Sequence, residues 1–212
     1  MDLSSSTRTD TARGDRAQRR RDVLAAAAAA LEEHGWDGFS IRDIAARAGV
    51  SGGAVYQWFS GKGEIWARLQ TTRFRADTAE VESWSDDLTD VETVQRIVLL
   101  IAKNHADIGR HRFEFVRGLK GRVPDYAVEL TNAHHLLSAA IAIHIDGLSP
   151  HEPVRSDLAA RVSWIWAVGK GVGDHLVDSR FEVMGVERED FLATTAVCAL
   201  AGLRAPAADT VA

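Results

Sequence analysis

The sequence is short of the residues that staple or punctuate a fold. Its 212 residues include one cysteine, Cys198, and only four prolines. One thiol closes no internal disulfide and supplies no cysteine-based zinc site. Prolines at 124, 150, 153 and 206 leave long stretches uninterrupted. No apolar run approaches the roughly 18 residues of a membrane span. The opening Met1-Asp2-Leu3-Ser4-Ser5-Ser6-Thr7 contains no apolar secretion segment, so a cytoplasmic location is expected. Hairpin signals are missing too: Asp37-Gly38 and Asp146-Gly147 separate helix-like segments, not alternating runs. Eight histidines form no His-x-x-x-His pair, so neither a metal nor another cofactor is expected. A net charge of −5 gives no overall signature of a nucleic-acid partner.

What remains is helical. With 46% apolar and 26% charged residues, the chain has the composition of a folded globular protein of one large or two small domains. Apolar residues recur with a 3.6-residue period, which predicts an all-α fold of about nine helices. Caps and breakers place them near 15–34, 41–48, 52–58, 62–83, 91–108, 110–120, 125–146, 154–180 and 187–203. Residues 1–14, rich in Ser, Thr, Arg and Asp, read as a disordered arm. Residues 15–65 read as a small three-helix domain and 66–212 as a larger helical bundle. Charge is divided between them. Residues 1–21 hold six Arg against three Asp, whereas residues 71–212 hold 15 basic and 21 acidic residues.

The segments 41–48 and 52–58 are short, amphipathic and joined by Ala48-Gly49-Val50-Ser51, the pattern of a helix-turn-helix. Gly49 suits a left-handed helix end, and Ser51 suits the next N-cap. Leu24, Ala27, Ala28 and Leu31 are expected to form the third wall, with Trp36 and Phe39 at the corner. Helix–Gly–helix alone also fits an ordinary helical hairpin. The run from Phe39 to Ile65, FSIRDIAARAGVSGGAVYQWFSGKGEI, is more specific. It resembles the DNA-binding domain of TetR-family transcriptional regulators. Trp58 stands where that family usually has His or Tyr, and Gly63 replaces a frequent Glu.

The residues themselves suit DNA. A recognition helix turns its N-terminal residues toward base edges in the major groove. Here they are Ser51, Gly52, Gly53 and Ala54. Two first-turn glycines weaken a helix by about 1 kcal/mol each, but they permit close backbone approach. Arg42 and Gln57 are the expected base readers, since Arg pairs bidentately with guanine. Tyr56, by the resemblance, is a phosphate contact. Ser40 and Lys62, at helix starts, are expected to meet phosphate as well.

The resemblance implies that the larger domain encloses an effector pocket and forms a homodimer. His105, Phe113, Tyr126, His134, His144 and Trp164 are the expected ligand-binding residues. Each also fits an ordinary core. Gly169-Lys170-Gly171-Val172-Gly173 lacks the preceding strand of a nucleotide loop and reads as close helix packing. Leu158, Val162, Ile165, Val172, Leu192 and Leu200 are the expected dimer contacts, in a four-helix interface from the last two long helices.

These readings describe a ligand-responsive regulator, a repressor, binding a pseudo-palindromic double-stranded operator as a homodimer and released by a small-molecule effector. No membrane partner and no enzymatic activity are expected, because no catalytic triad or carboxylate pair stands out. The rivals are an all-helical enzyme or an interaction protein that retained a TetR-like head. The helix at 62–83 is the expected link between the domains, pushed when ligand displaces 110–120.

Overall fold

The computed structural model describes residues 4–107, 109–112, 115, 123–148 and 157–205, with side chains from residue 16 onward except at 110. All regular structure among the described residues is helical. The elements are α1 (Ser4–Gly38), α2 (Ile41–Arg47), α3 (Gly52–Trp58), α4 (Lys62–Glu82) and α5 (Asp90–Asp107). A 3₁₀ turn at Gly109–His111 follows. Then come α6 (Asp125–Gly147), α7 (Leu158–Asp178), the one-turn α8 (Arg180–Val183) and α9 (Arg188–Arg204). The expected all-α class with an N-terminal helix-turn-helix holds. The expected helix at 110–120 falls mostly on residues outside those described, as does Phe113. None of the described helices is long and apolar enough to cross a membrane.

Two compact units emerge. One comprises Met1–Gln70 with His111–Leu130, the other Thr71–Arg110 with Thr131–Ala212. In the first, α1 begins at Ser4, well before the start near Asp15 that composition suggests. Nothing in 4–14 stops a helix: there is no proline and a single glycine, Gly14. Helical geometry breaks at Gly35, whose φ of 62° belongs to the left-handed region. The buried stripe of α1 is Val23, Ala27, Ala30 and Leu31. This corrects the expected wall, since Ala28 is exposed and Leu24 only half-buried. In the run Ala25–Ala30 apolar character marks no face, so periodicity there cannot locate the core. Ile44 and Ala45 of α2, Val55 of α3, and Phe39, Phe59, Ile65 and Trp66 complete this core.

The second unit is built around α5, whose Val94, Ile97, Val98 and Ile101 are buried. Helices α7 and α9 pack on it. Close approach of α7 depends on two glycines. A Cβ on Gly169 would sit 2.6 Å from the Cβ of Ile101, and one on Gly173 would sit 2.7 Å from the Ala102 carbonyl. The glycine-rich run is therefore a helix-packing surface in mid-helix. α7 ends at Ser179, which takes φ 49°, so the long helix expected to reach Arg180 gives way to α8.

One buried polar cluster ties α4 to α5 inside this unit. The Asp77 carboxylate accepts from Arg73 Nε at 3.0 Å and from Asn104 Nδ2 at 2.7 Å. Burial pushes its pKa up, against the opposing effects of Asn104 and Arg73. A carboxyl whose folded pKa is raised favours the folded state below the ordinary carboxylate range, and that contribution is lost as pH rises through the folded value. Asp77→Asn removes the charge and keeps an acceptor. Melting temperatures of wild type and variant, measured between about pH 4 and pH 7, are expected to shift in the variant's favour as pH rises. A pH-independent difference would contradict this.

Candidate nucleic-acid interface and effector groove

The helix-turn-helix is locked by its own backbone. Gly49, at φ 66°, follows the last turn of α2. Gly49 N–H donates to Ala46 O at 3.3 Å, and Val50 N–H donates to Ala45 O at 3.0 Å. This is a Schellman closure, which satisfies carbonyls that would otherwise lack donors. Ser40 and Ser51 cap α2 and α3, each accepting at 3.1 Å from the N–H three residues on. Each Ser Oγ is an acceptor internally and keeps its own proton to donate outward.

The face so built is exposed. The cap Ser51 and Gly53, Tyr56 and Gln57 of α3 reach solvent, and Tyr56 is 61% exposed. Ala54 and Gly52 are half-buried. A Cβ on Gly52 meets nothing within 4 Å, and one on Gly53 meets only Ser51 Oγ at 3.9 Å. Neither has positive φ. No contact among the described residues requires glycine at either position. The two arginines of α2 differ. Arg47 is held by Glu33 at 2.7 Å and Asp43 at 3.0 Å. Arg42 is exposed and forms no ion pair among the described residues. Between the helices lies a cleft of about 470 Å³, floored by Ile41, Ala45 and Val50 and rimmed by Arg42 and Tyr56.

Lys62 departs from expectation. Its ammonium donates to the Trp36 carbonyl at 2.7 Å and sits 4.5 Å from the centroid of the Trp36 ring. It braces the α1–α2 corner, where the sequence suggested an outward phosphate contact. The sequence missed this because a lysine at a helix start looks the same whichever way it turns. Arg20 is likewise turned inward, 5.3 Å from the centroid of Phe59. Lys62→Met is expected to lower stability by about 1 kcal/mol, from the lost hydrogen bond and cation–π contact. Chemical denaturation reads this. An unchanged midpoint with weakened DNA binding would instead return Lys62 to an outward role.

The described members of the expected effector set fall in both units. Phe113 lies outside the described residues. Tyr126 belongs to the first unit, its ring 6.3 Å from Phe115. His105 Nε2 pairs with Asp174 Oδ1 at 2.9 Å. His144 Nε2–H donates to the Val81 carbonyl at 3.2 Å, and its ring packs 5.3 Å from Trp84. Trp164 faces outward, 41% exposed, with its ring over Gly202 of α9. His134 lines a groove. That groove, about 820 Å³ between α6 and α7, is also lined by His135, Ser138, Leu158, Val162, Ser163, Trp166 and Lys170. Trp166 and Lys170 stand four residues apart on one helix, a spacing that places a cation beside a ring and marks the groove in the sequence.

The expected dimer contacts need correction as well. Val162, Ile165, Val172 and Leu200 are buried inside the second unit. Leu158 and Leu192 are half-buried. A helix apolar nearly all round gives no sign of which side its own domain uses, and here the strongest hydrophobes face that domain's own core. The outward faces of α7 and α9 carry Ala160, Trp164, Ala167, Thr194, Val197, Cys198 and Ala201.

Residues 23–69 match the family model described as bacterial regulatory proteins, tetR family. No curated protein matches the sequence. The fold is similar to that of a transcriptional regulator from Rhodococcus sp. RHA1, at 16% identity and TM-score 0.62, over 86% of this chain and 94% of that one. It is similar to FadR from Bacillus subtilis, solved with stearoyl-CoA, at 17% identity and TM-score 0.58, over 87% and 97%. A TetR-family regulator from Thermus thermophilus, PfmR, aligns at 16% identity and TM-score 0.51, over 88% and 96%.

Proposed function

We propose, from the premise that residues 23–69 form a DNA-binding domain of the tetR family, that the chain is a one-component, ligand-responsive repressor. The observation that carries this reading is the outward first turn of α3, with two glycines that no contact among the described residues requires. Glycine there lets the backbone approach a groove wall. Arg42 and Gln57 read bases, Tyr56 meets phosphate, and the Ser40 and Ser51 hydroxyls donate to phosphate. Ala54 meets a thymine methyl.

A homodimer sets two such helices on one pseudo-palindromic operator, with half-sites one helical turn apart or a multiple of it. The outward apolar faces of α7 and α9 support a four-helix interface centred on Trp164 and Val197, the latter 56% exposed. The groove between α6 and α7 is the effector site. Helix α4 has residues 62–70 in one unit and 71–82 in the other, and is the element that carries the signal. A coupling of about 1–3 kcal/mol changes operator affinity roughly 5- to 150-fold. Such a regulator works in the cytoplasm.

Selection of binding sites from random duplexes tests the reading. Enriched sites are expected to be two-fold symmetric. Trp164→Glu is expected to give a folded monomer in sedimentation, with operator binding lost at micromolar protein. Enrichment of single, asymmetric sites, or a dimer that survives Trp164→Glu, would contradict the proposed assembly.

A further inference from the structure

We infer that the cleft between α2 and α3 reads the C5 methyl of a thymine next to the guanine met by Arg42. This rests on the reading of that face as the DNA interface. The cleft is continuous with the face, since Gly52 and Tyr56 of α3 belong to both. Its floor is hydrocarbon: Ile41, Ala45 and Val50, with Ala46 beside them. The polar side chains around it are the Arg42 guanidinium and the Tyr56 phenol, both exposed. Among the described residues no carboxylate lines it, and Asp43, the next residue of α2, is paired with Arg47 at 3.0 Å.

A hydrocarbon floor on a DNA-facing surface has one counterpart in the major groove. Every base pair shows donors or acceptors there, and thymine alone adds an apolar substituent, its C5 methyl. Arg42 stands at the rim of the same cleft. Successive bases lie about 3.4 Å apart along a strand, so a guanidinium on guanine and the floor at its side meet neighbouring base pairs. Ala54 does not line the cleft, so a methyl held there is separate from one met by Ala54.

Small residues keep the cleft open. Gly52 lines it, and a Cβ there meets nothing within 4 Å. Its φ is not positive, so the backbone does not demand glycine. A side chain at 52 would stand in the mouth of the cleft. Ala45 and Ala46 are likewise cut back on the α2 side. About 470 Å³ leaves room for the methyl and for the edge of the base that bears it.

Deleting the methyl from the DNA tests this without altering the protein. Full-length protein is titrated, by fluorescence anisotropy, with an operator selected from random duplexes. The thymine beside the guanine of one half-site is replaced by deoxyuridine, which removes the methyl and keeps the base pair. Binding is expected to weaken about fourfold, the worth of one buried methyl group. 5-Methylcytosine at that place is expected to bind better than cytosine by the same factor. Ile41→Ala is expected to erase both ratios, and so is Gly52→Ala, whose added carbon has open space. Near-ultraviolet circular dichroism checks that each variant is folded. Selected operators without a thymine beside guanine, equal binding of thymine and deoxyuridine duplexes, or ratios that survive either folded variant would overturn the inference. So would unchanged ratios with altered sedimentation of free Ile41→Ala protein, which would assign the cleft to a second copy of the chain. The underlying reading reports separately. If an operator is selected and deoxyuridine is silent, the DNA interface stands and the methyl reading falls. If no operator is enriched, both fall.

Discussion

Gly53→Glu is expected to weaken operator binding by about 100-fold or more while leaving the fold intact. A Cβ there has open space, with only Ser51 Oγ at 3.9 Å. A carboxylate in the first turn also suits the positive end of a helix, which favours the folded state by about 0.3–1 kcal/mol. Removing glycine from a helix adds a similar gain. Stability should therefore hold or rise slightly. Against DNA the same change is unfavourable twice. It inserts a side chain where the backbone must approach, and it sets a negative charge against phosphates, where like-charge contact costs several kcal/mol. Gly53→Ala should show the steric part alone. Fluorescence anisotropy with a labelled operator and a thermal melt of each variant would separate the effects. Loss of binding together with loss of fold would contradict the account, as would full binding by Gly53→Glu.

Gly173→Ala is expected to destabilise the second unit by about 2 kcal/mol, and Gly173→Val by more. Alanine should gain about 1 kcal/mol in an isolated helix. Here its Cβ would lie 2.7 Å from the Ala102 carbonyl and 3.2 Å from the His105 side chain. A backbone oxygen cannot move aside by changing rotamer. Helices α5 and α7 must separate, and overpacking of this kind costs about 1–3 kcal/mol or more. The contact also lies beside the pairing of His105 with Asp174. A fall in melting temperature of roughly 5 °C or more would fit. An unchanged or raised melting temperature would mean that the close approach of α5 and α7 does not hold in solution.

The three-helix head was legible because its signals are local. Ser40, Gly49 and Ser51 act through bonds to residues within five positions, so spacing alone identifies them. The extent of α1 was less legible, because an alanine run presents the same character on every side. The direction of Lys62 was not legible at all. Whether an ammonium turns outward or over Trp36 depends on a ring that is 26 positions away. The same holds for the larger unit. The periodicity of α5, α7 and α9 marks them as buried helices but does not say which partner covers which face. Strong hydrophobes such as Ile165 and Leu200 went to their own core. Smaller residues, with Trp164 and Val197, were left outside. The histidines were scattered for a similar reason. His105 and His144 found fixed partners at Asp174 and Val81, whereas His134 met Trp166 across the groove.

The central claim is sequence-specific DNA binding through the exposed turn of α3 and Arg42. It is tested most directly by titrating a selected operator and a scrambled duplex of equal length at several salt concentrations. The account predicts a steep loss of affinity for both duplexes as salt rises. At physiological salt the operator should bind at least about 1,000-fold more tightly than the scrambled duplex. Arg42→Ala should reduce that ratio, with about 1–3 kcal/mol lost at one base pair of each half-site. Equal, salt-insensitive binding of both duplexes, or a specificity ratio untouched by Arg42→Ala, would contradict it.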